Sequence, residues 1–250
     1  MTSLFDQSAL TDLAERLVAG ARCAGADAAD AVAVRSMSLS VDVRDGAVEE
    51  SQRSESDDVG LRVLVGRRQA VVSTNDIRAD VVQLAERAIA MAKVAPEDRF
   101  AGLADPALLA TNPPDLDLVD PALPSVAVLE ARAKAAEAAG LAVRGVTKSE
   151  GASASAGIGG MVLATSHGFR GAYLTSRHSL AMSAIAGEGT AMERDYDFSS
   201  TLHAVDLDAP ERVGRTAGER AVARLNPQKV STKRVPVVFD RRVEIGRAHV

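Results

Sequence analysis

Four histidines are the residues of this chain best suited to binding a catalytic metal: His167, His178, His203 and His249. Zinc hydrolases bring two or three imidazoles to one ion, commonly through H-E-x-x-H, because residues four apart share a helical face. None of the four histidines has that spacing. We therefore expect no metal ligand and no bound cofactor in this chain, and we expect the histidines to lie at the surface or in turns.

Motifs for nucleophilic catalysis and phosphate binding are equally weak. His203 and Asp206 could complete a serine triad, but no G-x-S-x-G turn exposes a nucleophile. The GIGG run at 157–160 resembles a phosphate loop, yet no Lys-Ser or Lys-Thr follows, and glycines of a tight turn or bulge explain it better. We expect no catalytic residue in this chain.

The densest polar cluster spans residues 187–198, where three acids surround Arg194 and two aromatics follow closely. An extended acidic segment of this kind can line a peptide groove or dock a partner through backbone pairing and arginine bridges. An ordinary strand with Tyr196 and Phe198 facing inward and solvated acids between them explains the same alternation. The candidate peptide or partner contact consists of Glu193, Arg194, Asp195, Tyr196 and Asp197.

A second acidic group lies near the start of the chain and contains Asp42, Asp45, Glu49, Glu50, Glu55, Asp57 and Asp58. Loops that bind hard cations use a tight D-x-D-x-D spacing, which is absent here. A solvated charged face that protects a sheet edge is the better interpretation.

Composition and charge exclude several classes of function. The chain has 250 residues, of which 29 are Lys or Arg and 34 are Asp or Glu, so its net charge of -5 disfavours direct binding to nucleic acid. Two Tyr, five Phe and no Trp are too few for base-stacking platforms. A single cysteine, Cys23, suits a reducing compartment. Because neither a signal peptide nor an apolar membrane span is recognisable, we expect a cytoplasmic protein that does not bind membranes.

The elements that must position these residues begin with a helix after Ser8 and before Gly25, whose apolar positions share one face: Leu10, Leu13, Ala14, Leu17, Val18 and Ala21. Alternation at residues 39–43, a type I′ turn at Asp45-Gly46 and a strand from 47 to about 55 predict a hairpin. Residues 61–65 and 70–73 predict a second hairpin and a sheet of about four strands.

A second helix follows, capped by Asn75 or Asp76, with its buried side at Val81, Leu84, Ala85, Ala88 and Met91. Six of the nine prolines then fall within residues 96–124 and predict a connector. Beyond it, the order repeats: a helix from Ser125 to Ala139, strands over 146–198, and a helix that begins at Asp208 with Pro210 in its first turn.

The predicted fold is therefore α+β, with two consecutive units of helices packed on mostly antiparallel sheets. The units cover residues 1–95 and 125–230, with the proline-rich linker 96–124 between them. An apolar run at 235–239 predicts a strand that opens a truncated C-terminal domain at 231–243. The ending IGRAHV is what a common sequencing adapter encodes in one frame, so we expect residues 244–250 to be non-native.

Several blocks in a fixed order carry a family resemblance that extends to about Val243. They are GLRV at 60–63, STND at 73–76, TSHGF at 165–169, MERDYD at 192–197, DLDAPERVG at 206–214, ERAV at 219–222, LNPQKV at 225–230 and VPVVFD at 235–240. The chain resembles the TldD/PmbA family, and more closely its PmbA branch, also called TldE. It departs from the family at His167, where Asn commonly precedes the Gly, and both residues suit a turn.

The resemblance implies an N-terminal fragment of a cytoplasmic bacterial protease, in which two related subunits enclose a chamber and degrade unfolded or short peptides. A TldD-like partner would carry the H-E-x-x-x-H zinc site, and a PmbA-type subunit would complete the chamber without catalytic residues. The branch also has a genetic link to the modulation of DNA gyrase. Two alternatives stay open: the full-length protein is itself the metallopeptidase, or it is a non-enzymatic adaptor whose acidic hairpin binds another protein.

Overall fold

Helices and strands follow the same order twice along residues 6–240 and residue 242, the part of the chain that the computed structural model describes. The elements are α1 (Ser8–Cys23), β1 (Ala28–Arg44), β2 (Ala47–Val65), β3 (Arg68–Thr74), α2 (Val81–Val94), α3 (Val126–Leu141), β4 (Val146–Thr165), β5 (Arg170–Ala186), β6 (Glu193–Thr201) and α4 (Pro210–Ala223). Short 3-10 turns lie at Pro106–Leu108, Gly189–Ala191 and Ala204–Asp206. Each round is a helix, three strands and a helix, counted with α3 as the first helix of the second round.

The strands of both rounds form one continuous sheet in the order β3-β2-β1-β4-β5-β6. All neighbouring strands are antiparallel, and β1 joins the two rounds because it pairs with β2 on one side and with β4 on the other. The predicted α+β class with helices on antiparallel strands is confirmed. The two predicted units share a sheet rather than forming two separate ones.

All four helices of the described residues pack on the same face of this sheet. Helices α1 and α2 cover one end of it, where Leu17, Leu61 and Ala164 belong to one apolar cluster. Helices α3 and α4 cover the other end, where Val41, Leu180 and Val213 belong to a second cluster. Because alternate residues of a strand point to opposite faces, the other face of the sheet carries no helix of the described chain.

Helix α1 buries the six residues that the periodicity predicted: Leu10, Leu13, Ala14, Leu17, Val18 and Ala21. The prediction for α2 was partly wrong. Its N-cap is Asp80, whose carboxylate accepts the N–H of Val82 at 2.8 Å. Ala85 and Ala88 are buried as predicted, and Val81 and Leu84 pack half-buried against the same cluster. Ile89 and Ala92 complete the buried face, whereas Met91 is exposed. Helix α4 also begins later than expected, with Pro210 in its first turn as predicted.

Strand β2 is one strand of 19 residues, where two strands of separate hairpins were predicted. Residues 56–60 continue to pair with residues 32–36 of β1, so the sheet has three strands in the first round instead of four. The polar run hid this continuity because residues 47–56 are exposed on both faces and show no burial pattern. The predicted turn at Asp45-Gly46 is confirmed, with φ of 52° and 76°.

The glycines at 157–160 lie inside β4, paired with β1 and β5, and not in the turn or bulge expected from the sequence. Close backbone approach explains at least one of them, since a Cβ on Gly157 would lie 2.9 Å from the Met37 carbonyl oxygen. The phosphate-loop interpretation has no structural counterpart there.

Helices α3 and α4 cross in close backbone contact through glycines. A Cβ on Gly214 would lie 1.8 Å from the Ala136 carbonyl oxygen, and one on Gly218 would lie 2.9 Å from the Gly140 carbonyl oxygen. Helix α3 also holds the β1–β2 turn, because the buried Glu137 carboxylate accepts the N–H groups of Asp45 and Gly46 at 2.9 and 2.8 Å. The second round of elements thus contacts the hairpin of the first.

Residues 95–125 contain only the Pro106–Leu108 turn, and the boundaries of the predicted units stay predictions. No strand forms at 235–239, where Val237 and Val238 are exposed. A strand needs a neighbouring strand to pair with, and no strand of the described sheet extends to this segment. The further domain predicted at 231–243 stays a prediction, and the adapter-like residues 244–250 lie outside the described part of the chain.

Candidate functional site

The five candidate contact residues lie on β6, the last strand of the sheet. This strand pairs with β5 from Glu193 opposite Ala186 to Thr201 opposite His178. Within the described residues no strand pairs with its outer side. The predicted cluster is therefore the start of an edge strand, where alternate side chains face α4 and the helix-free side.

Two of the acids face the helix. Asp195 and Asp197 are 5% and 6% exposed, and α4 covers them with arginines. Arg224 lies 3.1 Å from the Asp195 carboxylate, and Arg220 donates to Asp197 at 2.5 Å. The expected alternative, with aromatics inward and solvated acids between them, was thus wrong in its phase. Alternation cannot tell which face is covered, and the basic residues of α4 decide it here.

A third arginine also binds Asp195. Arg242 donates to the Asp195 carboxylate at 2.8 Å and lies with its guanidinium carbon 5.3 Å from the ring centre of Tyr196. Burial acts to raise the pKa of Asp195, but hydrogen bonds from Arg242, the Tyr196 N–H and Arg224 outweigh it, so the pKa lies below its usual value. Asp195 is held ionised at neutral pH and fixes β6 to two separate segments.

The remaining candidates are less buried than these two acids. Arg194 is exposed and donates to Glu150 of β4 at 2.6 Å, whereas Glu193 is half-buried and lies 4.0 Å from Arg224. Tyr196 and Phe198 are 44% and 52% exposed, and their rings stack with centroids 6.3 Å apart. The helix-free side of β6 therefore presents an apolar platform beside a cation, a surface suited to a peptide side chain.

Side chains occupy the outer backbone groups of β6 at one point. The Tyr196 carbonyl accepts from Arg220 and Arg242, each at 3.2 Å, and the Tyr196 N–H donates to Asp195 at 2.8 Å. A groove of about 500 Å³ runs beside this point and is lined by Phe198, Ser199, Ser200, Asp208 and Arg212, among others. An incoming strand would have to displace the arginines from Tyr196 to pair there.

Comparison with known proteins assigns this arrangement to a family. The model for domain 1 of the PmbA/TldA metallopeptidases matches residues 29–92, and the model for their central domain matches residues 120–225. The chain belongs to the PmbA/TldD family. This PmbA/TldD chain is 35% identical over 222 residues to Metalloprotease PmbA of Escherichia coli, and 37% identical over 224 residues to a PmbA homolog of Haemophilus influenzae. Each match covers 88% of this chain and 49% or 50% of the relative, so the chain spans about half the length of these relatives.

Solved structures give the same result for the fold. A crystal structure from Bacteroides thetaiotaomicron, named as a modulator of DNA gyrase, superposes with a TM-score of 0.81 at 26% identity and covers 88% of this chain and 51% of that one. TldE from Thermococcus kodakarensis has a TM-score of 0.67 at 16% identity, over 84% of this chain and 46% of that one. The PmbA/TldD chain therefore has the fold of the N-terminal half of such proteins.

The histidines of this PmbA/TldD chain form no metal site among the described residues, although His178 and His203 both lie near Asp120. His167 lies in the exposed turn between β4 and β5, and His203 lies in the loop after β6. His249 lies outside the described residues. His178 is fully buried in β5, which contradicts the expectation that it lies at the surface or in a turn. Among the described residues, no three His, Cys, Asp or Glu side chains are placed to hold a metal ion, so they do not fit a zinc site.

Sequence reasoning missed a buried polar group around His178. Its Nε2 lies 3.3 Å from the Asp120 carboxylate, which accepts the N–H groups of Ala122 and Ala204. Ser176 Oγ accepts the Asp120 N–H at 2.7 Å, and these bonds hold the end of the proline-rich segment against β5. Burial lowers the pKa of His178, with Asp120 opposing it and Arg132 and His203 adding to it. Nothing in the one-dimensional spacing brings residues 120 and 178 together.

No helix among the described residues is long and apolar enough to cross a membrane.

Proposed function

We propose that the full-length protein is a non-catalytic PmbA/TldE-type subunit of a zinc-dependent peptidase in the cytoplasm, which degrades unfolded or short peptides. A TldD-like subunit would hold the zinc ion and supply the metal-activated water for peptide hydrolysis. The PmbA names of the relatives support the family role. The helix-free sheet face, ending in an edge strand with an exposed aromatic pair, is the observation that carries the peptide-binding part.

In this proposal the five predicted contact residues divide into two roles. Arg194 and Tyr196 face the open side and contact peptide or partner, with Phe198 extending the platform. Glu193, Asp195 and Asp197 keep β6 on α4 through Arg220 and Arg224. An extended peptide lying over β6 would meet an apolar ring and a guanidinium, which recognise side chains of many types and suit a peptidase of broad specificity.

The partnership is tested by co-purification. A full-length protein carrying an affinity tag should retain a TldD-like subunit at micromolar concentration, and the complex should hydrolyse short peptides. In the complex, Tyr196→Ala should raise KM for peptides several-fold and leave kcat nearly unchanged, because it removes binding and touches no reacting group. Exposed Val82→Ala on α2 is the matched control. No association of the wild-type subunits would count against the proposal.

A second candidate has specific support, because the relatives carry the name Metalloprotease PmbA. In that case the full-length protein would be the metallopeptidase, with its ligands outside the residues described. Metal content and hydrolysis measured on the full-length protein alone separate the two candidates. The Bacteroides structure is named as a modulator of DNA gyrase. The net charge of -5 on this chain argues against such a role through direct binding to DNA.

A further inference from the structure

The first 12 of the 19 residues of β2 form a second edge of the sheet, and this edge differs from β6. Strand β3 pairs with β2 only from Val59 to Val65. Over residues 47–58, here called the acidic edge, no described strand pairs with the outer side of β2, and residues 47–56 are all exposed. No described side chain caps a backbone group of this segment. At about 3.3 Å per residue, the acidic edge offers an open strand about 40 Å long.

The acidic edge carries an excess of negative charge. It contains Glu49, Glu50, Glu55, Asp57 and Asp58 against Arg53, a net charge of -4. Three of these acids pair with arginines: Arg35 of β1 binds Asp57, Arg44 of β1 lies 3.4 Å from Glu49, and Arg53 of the edge itself pairs with Glu55. Glu50 and Asp58 have no ion-pair partner among the described residues. These two acids point to the helix-free face.

A cavity continues this charge at one end of the acidic edge. It has a volume of about 390 Å³ and opens on the helix-free face, where Asp42 of β1 lies opposite Glu50 of β2. Glu150 and Ser153 of β4 and Ser183 of β5 also line it. Register shifts in the β1–β2 and β4–β5 ladders lie beside this cavity and bend the sheet there. Arg44 also lines the cavity and Arg194 binds Glu150, so Asp42 and Glu50 are the carboxylates that a long cationic side chain at the end of an added strand would meet.

The charge decides which strand can occupy the acidic edge. A second copy of this chain would bring two edges together that each carry an excess of negative charge, and like charges on paired strands are destabilising. A strand carrying Lys or Arg gains from the same carboxylates while it satisfies the open backbone groups. We propose that the acidic edge binds extended, Lys- or Arg-rich peptides by strand addition. The inference rests on the proposed peptidase role and narrows its substrates to basic, unstructured peptides.

Direct binding to the full-length subunit without its partner tests the inference independently of catalysis. The probes are fluorescent twelve-residue peptides that alternate Lys with Val and Ser, a matched peptide with Glu in place of Lys, and the Lys peptide N-methylated at alternate residues. We expect the Lys peptide to bind at least about tenfold more tightly than the Glu peptide, and N-methylation to weaken it by about tenfold, because several main-chain hydrogen bonds are lost. Hydrogen exchange should slow in residues 47–58.

The variant Glu50→Lys/Asp58→Lys should weaken the Lys peptide by about tenfold and leave the fold unchanged, because both acids are exposed and unpaired among the described residues. Glu86→Lys/Glu219→Lys makes the same charge change on exposed helical positions and should alter binding less than twofold. Equal binding of all peptides, no binding, protection confined to β6, self-association through residues 47–58, or occupation of this edge by the TldD-like subunit would each overturn the inference. Subunit association without Lys-peptide binding would remove the inference and leave the proposed function standing.

Discussion

The two open edges of the sheet, β6 and the acidic edge of β2, differ in whether side chains of the same chain cover them. On β6, arginines from α4 and the C-terminal segment bind both the buried acids and the Tyr196 carbonyl, so the edge is held by its own chain. On the acidic edge of β2, exposed Asp and Glu side chains lie beside backbone groups with which no described strand pairs. The same residue types, Asp and Glu, stabilise the fold in the first region and face solvent in the second. Burial and the neighbouring helix, not composition, assign the role.

The largest effect should come from the helix crossing that positions the arginines over β6. In Gly214→Ala the new Cβ would meet the Ala136 carbonyl oxygen at 1.8 Å, so the backbones of α3 and α4 must separate. We expect destabilisation of about 3 kcal/mol, seen as a lower Tm. Hydrogen exchange should accelerate in β6 and change little in the acidic edge. Gly60→Ala in β2, with nothing within 4 Å, is the control and should leave Tm nearly unchanged.

The next effect concerns the buried acid itself. Asp195→Ala leaves Arg224 and Arg242 without their shared carboxylate and should cost about 2 kcal/mol, less than for a fully buried pair because Arg224 is half exposed. Asp58→Ala on the acidic edge should change stability by less than about 0.5 kcal/mol. Urea unfolding of both variants checks the contrast. Equal costs at the two edges would refute the division of roles.

A smaller effect should come from Glu137, which holds the turn that precedes the acidic edge. Glu137→Gln weakens the two charge-assisted bonds to the Asp45-Gly46 turn and should cost about 1.5 kcal/mol. Hydrogen exchange should rise at the start of β2 and stay constant in β6. Glu130→Gln, which removes only a surface ion pair with Lys134, serves as the control. A uniform rise across the sheet would show that Glu137 does not act locally.

The smallest effect is a pH dependence near the far end of β6, where His178 pairs with Thr201. The folded state lowers the pKa of His178 through burial, so below about pH 6.5 the unfolded chain takes up a proton that the folded chain excludes. Stability is present above that pH and is lost as the pH falls. His203, whose pKa is raised by its bond to the Asp117 carbonyl, acts in the opposite direction.

Because these two histidines oppose each other, the comparison between variants is the informative one. From pH 7 to pH 5, wild-type Tm should fall relative to that of His178→Phe by less than about 4 °C. Melting curves at the two pH values measure it. A steeper fall in the variant than in the wild type would contradict this account of His178.

The sequence predicted what depends on local pattern. The face of α1, the turn at Asp45-Gly46 and the repeat of element order follow from spacing of 3.6 or 2 residues and from turn chemistry. The predictions from sequence were wrong where residues distant along the chain determine which face of a strand is buried. The polar first part of β2 shows no alternation because neither of its faces is buried. The phase of β6 depends on Arg220 of α4 and on Arg224, the C-cap residue of that helix.

The five candidate residues lie on a strand, as the alternation predicted, but the division into inward acids and outward Arg194 and Tyr196 needed the position of α4. The buried His178 and its approach to Asp120 were hidden for the same reason, because the two residues lie on separate segments that meet only in the fold. Pairing of β1 with β4, which makes one sheet of two predicted units, likewise leaves no mark in the sequence.

Zinc content and peptide hydrolysis of the separately purified full-length subunits test the central claim most directly. We predict that the full-length form of this chain contains no stoichiometric zinc and hydrolyses no peptide alone, and that both properties come with the TldD-like subunit. One zinc ion per chain, with hydrolysis in the absence of any partner, would contradict the account.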